Sequence, residues 1–268
     1  MHWASPRRSA RRSLPDVGAA TTTSSRKRID IVMVERGLAP TRARARDAIE
    51  RGLVTVDGRP VTKAGQAVAA DAQVSVAGDA DPYVSRGGLK LAHALDRFAI
   101  DPRGLMALDL GASTGGFTDV LLRRGAAGVI AVDVGHGQLH DSLRRDPRVT
   151  VFEKLNARDL TAGHVRVAPE LVVADMSFIG LRIALPAALD LAAPGARLIA
   201  LIKPPFEVGR DRVGKGGVVR DPALHDEVCR EIAAWLTERG WRVLGIEPSP
   251  VEGPDGNREF LIGAAREH

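Results

Sequence analysis

The strongest chemical signal in this chain is the segment Asp109-Leu110-Gly111-Ala112-Ser113-Thr114-Gly115-Gly116-Phe117. It follows the apolar stretch Leu105-Met106-Ala107-Leu108 and precedes a helical pattern, so the order is strand, glycine loop, helix. Such a loop opens onto a nucleotide-type cofactor, because a glycine lets backbone approach a ligand where a Cβ would intervene. The spacing D-x-G-x-x-x-G-G departs from the G-x-G-x-x-G of dinucleotide sites. A carboxylate at the strand end repels pyrophosphate but suits a cationic ligand such as S-adenosylmethionine, which carries an amino group and a sulfonium. Asp109 is therefore expected to face the cofactor's amino-acid end, with Gly111, Ser113, Thr114, Gly115, Gly116 and Phe117 around it. Asp133 ends the next apolar run, Gly128-Val129-Ile130-Ala131-Val132. An acid there can accept both ribose hydroxyls, and Val134 lies beside it. Asn156 is expected near the adenine edge, although an Asn capping a turn is equally open from position alone.

Four further charged residues end or begin apolar segments. Asp175 follows Leu171-Val172-Val173-Ala174, and Lys203 follows Leu198-Ile199-Ala200-Leu201-Ile202. Glu259 begins a final strand. If that strand runs antiparallel, its start lies on the edge where the other strands end. Lys90 sits in the first turn of an amphipathic helix, where a cation opposes the helix dipole. Each has a bland alternative as a surface charge or a turn cap, but all four fall on one predicted edge.

The elements that must position these groups alternate along residues 84–268. The patterning predicts helices at 88–99, 116–124, 137–145, 181–192 and 222–239. Strands are predicted at 105–109, 128–133, 149–152, 170–175, 197–202, 241–248 and 258–264. Apolar runs separated by amphipathic helices imply an α/β, Rossmann-like fold with helices on both faces of a mostly parallel sheet. The last two strands should form a hairpin, giving an antiparallel final strand. Ligands of such sheets lie beyond the carboxyl ends of the strands.

Composition sets outer limits. The chain has 268 residues, 44% hydrophobic and 26% charged, which suits one α/β core plus a small module. A single cysteine, Cys229, excludes a disulfide framework and a cysteine-based zinc site. No apolar run approaches a membrane span. The net charge of +5 is concentrated in residues 1–28, which hold seven Arg/Lys against one Asp. Residues 1–25 read as a disordered basic tail, and 77–83 as a linker.

Residues 26–76 read as a compact unit. Ile29, Val32 and Met33 sit at helical spacing before Gly37. Thr41 caps a second helix that ends at Gly52. A short strand at 53–56 then reaches the turn signal Asp57-Gly58. Arg42, Arg44 and Arg46 cluster at the start of the second helix, where phosphate is favoured. A solvated charged face is the alternative. The pattern Arg28-Ile29-Asp30, Arg36-Gly37-Leu38-Ala39, Thr41-Arg42, Ala48-Ile49, Gly52-Leu53-Val54 and Val56-Asp57-Gly58 resembles an S4-type RNA-binding domain. The resemblance implies RNA contact through Arg28, Arg42, Arg44 and Arg46, and Arg86 in the linker-proximal segment extends the set.

The charged quartet resembles the Lys-Asp-Lys-Glu tetrad of ribose 2′-O-methyltransferases with an FtsJ-like domain. With the S4-type module, residues 26–264 resemble the TlyA family, also named hemolysin A. The segments that carry this are Val84-Ser85-Arg86-Gly87-Gly88-Leu89-Lys90-Leu91, the glycine loop with Thr118, Asp133-Val134-Gly135-His136-Gly137-Gln138-Leu139, Ala174-Asp175-Met176-Ser177-Phe178-Ile179, Lys203-Pro204-Pro205-Phe206-Glu207 and Gly217-Val218-Val219-Arg220-Asp221-Pro222. Tyr83, His136 and Pro205 depart from the common family residues Trp, Tyr and Gln. The resemblance implies S-adenosylmethionine-dependent methylation of a cytidine ribose in 16S or 23S ribosomal RNA, or in both, by a cytoplasmic protein. Its partners would be ribosomal RNA or ribosomal subunits, not DNA or a membrane, and no metal is required. Lys90, Asp175, Lys203 and Glu259 would be catalytic, and Asp175 would also contact the cofactor. Lys203 would receive or stabilise the hydroxyl proton, which calls for a lowered pKa from burial and from Lys90. Asp175 would orient Lys203, and Glu259 would hold Lys90.

Three rival readings remain. Lys203-Pro204-Pro205-Phe206 resembles the Asp/Asn-Pro-Pro-aromatic loop of base-amine methyltransferases, but a lysine offers that amine no acceptor. A membrane-active hemolysin would need a long apolar or strongly amphipathic segment. A non-catalytic RNA-binding or ribosome-assembly factor would not need the tetrad.

Overall fold

Strands that are apolar on both faces must be covered on both faces, and this requirement organises the larger part of the molecule. The computed structural model describes residues 1, 26–69, 71–77, 83–214, 216–253 and 256–267. The basic tail expected at 1–25 and the linker expected at 77–83 lie mostly outside the described residues.

The small module opens with β1 (Arg26–Arg28), α1 (Ile29–Glu35) and α2 (Arg42–Glu50). It continues through β2 (Val54–Val56), β3 (Arg59–Pro60), β4 (Ala67–Ala69) and β5 (Val74–Val76). Thr41 caps α2 by accepting the Arg44 N–H at 3.3 Å. Asp57 and Gly58 both take positive φ, as a tight β2–β3 hairpin demands. β3, β2 and β5 form one sheet, and β1 pairs with β4 in another. Ile29, Met33, Ala45, Ile49 and Val54 are completely buried in the module's own core.

The larger part begins with α3 (Gly87–Arg97), β6 (Met106–Leu110), α4 (Gly116–Arg123), β7 (Gly128–Asp133), α5 (Asp141–Arg144) and β8 (Val149–Glu153). It proceeds through β9 (Leu171–Ala174), α6 (Leu181–Ala184), α7 (Pro186–Leu191), β10 (Arg197–Ile202) and α8 (Pro204–Glu207). The last elements are α9 (Pro222–Glu238), β11 (Trp241–Pro248) and β12 (Phe260–Arg266). The seven strands lie in the order β11-β12-β10-β9-β6-β7-β8. β12 is antiparallel to both neighbours, and the other pairings are parallel. This is a Rossmann-like sheet carrying a small N-terminal module. Leu108, Leu110, Val172 and Ala174 pack into the core on one face, and Ala107, Leu171 and Val173 into that on the other.

Several elements differ from the sequence expectation. The helix expected at 181–192 is two helices, because Pro186 has no N–H to continue the first. The helix expected at 137–145 shrinks to α5, since Gly137 takes φ +64° and the preceding residues form a loop. β12 begins at Phe260, so Glu259 precedes the strand. β9 ends at Ala174, so Asp175 follows it.

Candidate active site

Chain direction brings the charged groups together. β6 has β7 on one side and β9 on the other, so the order reverses there and leaves a crevice beyond the carboxyl edge. Asp175 extends past β9 into that crevice. Ile202 of β10 pairs with Phe260 of the antiparallel β12. Lys203, after Ile202, and Glu259, before Phe260, therefore leave the ladder side by side. Lys90 reaches the same edge from α3.

Side-chain contacts complete the cluster. Lys203 Nζ lies 2.5 Å from Asp175 Oδ1 and donates to Ser177 Oγ at 3.0 Å. Lys90 Nζ donates to Glu259 Oε2 at 2.5 Å. Lys90, Lys203 and Glu259 are 7%, 8% and 4% exposed, which puts two cations and two carboxylates in a poorly hydrated cleft. Burial opposes ionisation of Asp175, but Lys203 and Lys90 outweigh it and hold the carboxyl below its ordinary value. Burial also works against the Lys203 ammonium, yet Asp175 and Glu259 hold its pKa above the ordinary lysine value. The lowered Lys203 pKa expected from the sequence is thus reversed, because the carboxylates of Asp175 and Glu259 outweigh burial.

Two adjoining cavities of about 220 and 330 Å³ occupy the crevice, together enough for a small-molecule ligand. Lys90, Asp175, Lys203 and Glu259 line the first, together with Thr114, Gly116 and Phe117 of the glycine loop. Asp133, Val134, Leu155, Ala157 and Phe178 line the second. Gly111, Ser113, Asp175 and Ser177 line both.

A family model for the FtsJ-like methyltransferases matches residues 83–266, and one for the S4 domain matches residues 27–74. The 16S/23S rRNA (cytidine-2′-O)-methyltransferase TlyA of Mycobacterium tuberculosis is 48% identical over 238 residues, covering 88% of this chain and 89% of that protein. The chain belongs to the TlyA family of FtsJ-like methyltransferases. Hemolysin A of Brachyspira hyodysenteriae is 36% identical across 87% of this chain and 98% of its own. A solved hemolysin-type protein of Streptococcus thermophilus superimposes with a TM-score of 0.71 at 37% identity, over 91% of this chain and 90% of that one.

The TlyA family implies S-adenosylmethionine as methyl donor, and the cleft has the features that donor needs. Gly111 takes φ +77°, and a Cβ there would stand 2.5 Å from the Asp175 carbonyl oxygen, so only glycine permits this approach. Asp133 sits at the second cavity and accepts N–H groups from Ser113 at 2.8 Å and Gly135 at 2.6 Å. Each of its oxygens keeps a lone pair for a ribose hydroxyl. Gly115 caps α4 with φ +100° behind the loop.

Two residues expected at the cofactor, Asp109 and Asn156, line neither cavity. Asp109 is fully buried, lines neither cavity, and accepts from Thr118 Oγ1 at 2.7 Å. It shares a sheet face with Ala107, toward α4, and burial pushes its carboxyl up to about 7. Its other oxygen, Oδ1, is buried without a hydrogen-bond partner among the described residues. Asn156 accepts the Arg158 N–H at 3.1 Å and caps a 3₁₀ turn, while its neighbours Leu155 and Ala157 line the cavity.

Most of the arginines expected to touch RNA also make contacts within the chain. Arg28 and Arg42 clamp the buried Asp30, at 3.0 and 2.9 Å. Arg44 donates to the carbonyls of Gln138 at 3.1 Å and Leu139 at 2.8 Å, in the methyltransferase part. Arg86 pairs with Glu50 of α2 at 2.8 Å. Arg46 is exposed and lines both cavities.

Sequence reasoning passed over Ser177, Gln138 and Phe178. Ser177 accepts from Lys203, and Gln138 Oε1 accepts from Ser113 Oγ at 3.2 Å. Phe178 is 86% exposed at φ +67°, beside Phe206. An aromatic one residue beyond a serine and three beyond Asp175 was the available signal. Among the described residues, no helix is long and apolar enough to cross a membrane.

Proposed function

We propose that the chain transfers the methyl group of S-adenosylmethionine to the 2′-hydroxyl of a cytidine in ribosomal RNA, in the 16S or 23S molecule or both. The observation that carries this reading is the meeting of Lys90, Asp175, Lys203 and Glu259 in one cleft beside the glycine loop. The relative from Mycobacterium tuberculosis bears that activity in its name, and the S4-type module supplies a second RNA-directed part. Acting on ribosomal RNA places the protein in the cytoplasm.

The bound donor supplies an electrophilic methyl on a sulfonium, and the chain's residues supply the rest. A ribose hydroxyl is a weak nucleophile and must shed its proton as it attacks. Lys203 Nζ is the proton acceptor in its neutral form. Asp175 and Ser177 fix its position, and Asp175 then stabilises the ammonium that forms. Glu259 holds Lys90 as a fixed cation, which steadies negative charge on the attacking oxygen. Holding hydroxyl and donor in line contributes much of the acceleration.

The test is transfer of labelled methyl to ribosomal RNA, with the product mapped as a ribose mark resistant to alkaline cleavage. Lys203→Ala should abolish transfer while retaining cofactor affinity. Near-normal turnover in that variant would reject the assignment. Binding of RNA without any transfer by the unaltered chain would favour an assembly factor.

A further inference from the structure

Helix α2 belongs to the small module by sequence, yet it forms a wall of the catalytic cleft. Ala43 and Arg46 line both cavities, and Asp47 and Glu50 line the first. Two contacts hold this wall in place. Arg44 donates to the carbonyls of Gln138 and Leu139, and Glu50 pairs with Arg86 just ahead of α3. Burial holds the Arg44 guanidinium below its ordinary pKa, as befits a group seated in an interface.

Within that wall Arg46 stands apart. The lysines and arginines lining the cavities are Arg46, Arg86, Lys90 and Lys203. The last three have carboxylate partners in Glu50, Glu259 and Asp175. Arg46 has no ion-pair partner among the described residues. It also lines both cavities with Gly111, Ser113, Asp175 and Ser177, at the junction of the donor's site and the tetrad. A guanidinium presents a fork of donors that fits the paired oxygens of a phosphate or carboxylate.

We propose that Arg46 binds an anionic group inside the methyltransferase cleft, so that the small module completes the catalytic centre as well as carrying RNA. This rests on the function proposed above and assigns its substrates a contact. Two anions are the candidates: the phosphodiester flanking the target ribose and the carboxylate of the methyl donor.

The full-length protein tests this directly. Arg46→Ala and Arg46→Lys are assayed for kcat/KM on ribosomal RNA across salt concentrations, and for donor affinity by calorimetry. Loss of a phosphate contact lowers kcat/KM about tenfold, makes its salt slope shallower by about one, and leaves donor affinity unchanged. Loss of the carboxylate contact weakens donor affinity instead. In either arm the lysine variant recovers part of the loss. An Arg46→Cys variant reports position, because Cys229 is buried and its thiol is pushed up to about 11, leaving it inert to iodoacetamide. In the carboxylate arm S-adenosylhomocysteine should slow alkylation of that variant several-fold, and in the phosphate arm RNA should do so instead. Unchanged kcat/KM and donor affinity in Arg46→Ala would overturn the proposal, as would lowered kcat/KM with neither a shallower salt slope nor weaker donor affinity. Failure of the function itself reads differently: the unaltered chain would methylate no ribosomal RNA, while the alkylation arm would still report where Arg46 lies.

Discussion

At the scale of residues, the cleft is a balanced set of charges. Lys203 and Lys90 face Asp175 and Glu259 in two pairs whose nitrogen–oxygen distances are both 2.5 Å. Such pairs in a poorly hydrated site fix geometry more than they add stability, because desolvation offsets much of the attraction. Their functional consequence follows from the sign of the Lys203 shift. Its pKa is raised, so the free enzyme holds an ammonium at neutral pH, and the stability of the pair is lost only as pH rises through that elevated value. A neutral Lys203 is then a minor species that grows about tenfold per pH unit. We expect log kcat/KM for methyl transfer to rise with a slope of about one between pH 7 and 9, measured with saturating donor. A flat profile would make Lys203 a fixed ammonium that stabilises the attacking oxygen without accepting its proton.

At the scale of elements, the strand ends and the glycine loop set the cleft's shape. Gly111 joins β6 to the loop at φ +77°, with the Asp175 backbone against it. Gly104 has nearly the same φ, +76°, but nothing within 4 Å of its Cβ position. Comparing the two separates backbone strain from collision. Gly104→Ala should cost about 1–2 kcal/mol from φ alone. Gly111→Ala should exceed it by at least about 1 kcal/mol and also weaken donor affinity. Urea midpoints and calorimetry give the two readings, and equal costs would mean that the Asp175 backbone yields freely. These elements also show what could be read in advance. Asp175 and Lys203 stood out because they interrupt strands that are apolar on both faces. Glu259 required only the hairpin and its direction. Asp109 looked equivalent, but a strand's period of two does not reveal which face turns toward a helix, and its carboxylate went to Thr118. The break at Pro186 was present in the sequence and was hidden by the apolar residues on either side. The partners of Arg28, Arg42 and Arg86 could not be read, since each pairing depends on packing between elements.

At the scale of the whole molecule, the small module is docked by a few polar contacts at one end of the cleft. Arg44 supplies two of them, to the Gln138 and Leu139 carbonyls in the loop before α5. That same loop carries Gln138, which holds Ser113 of the glycine loop. Docking and the shape of the donor site are therefore mechanically linked through two residues. Arg44→Ala should weaken docking by about 2 kcal/mol, the worth of charge-assisted hydrogen bonds. Arg42→Ala is the matched comparison, because Arg42 acts inside the module on Asp30. Hydrogen exchange distinguishes them. Amides around residues 138–143 should exchange on the order of tenfold faster in Arg44→Ala and unchanged in Arg42→Ala, whose effect should stay within α1 and α2. If α2 must be seated to present Arg46, Arg44→Ala should also lower kcat/KM on ribosomal RNA while leaving the tetrad intact. Unaltered exchange in the 138–143 loop would mean that the module is not seated on the cleft in solution.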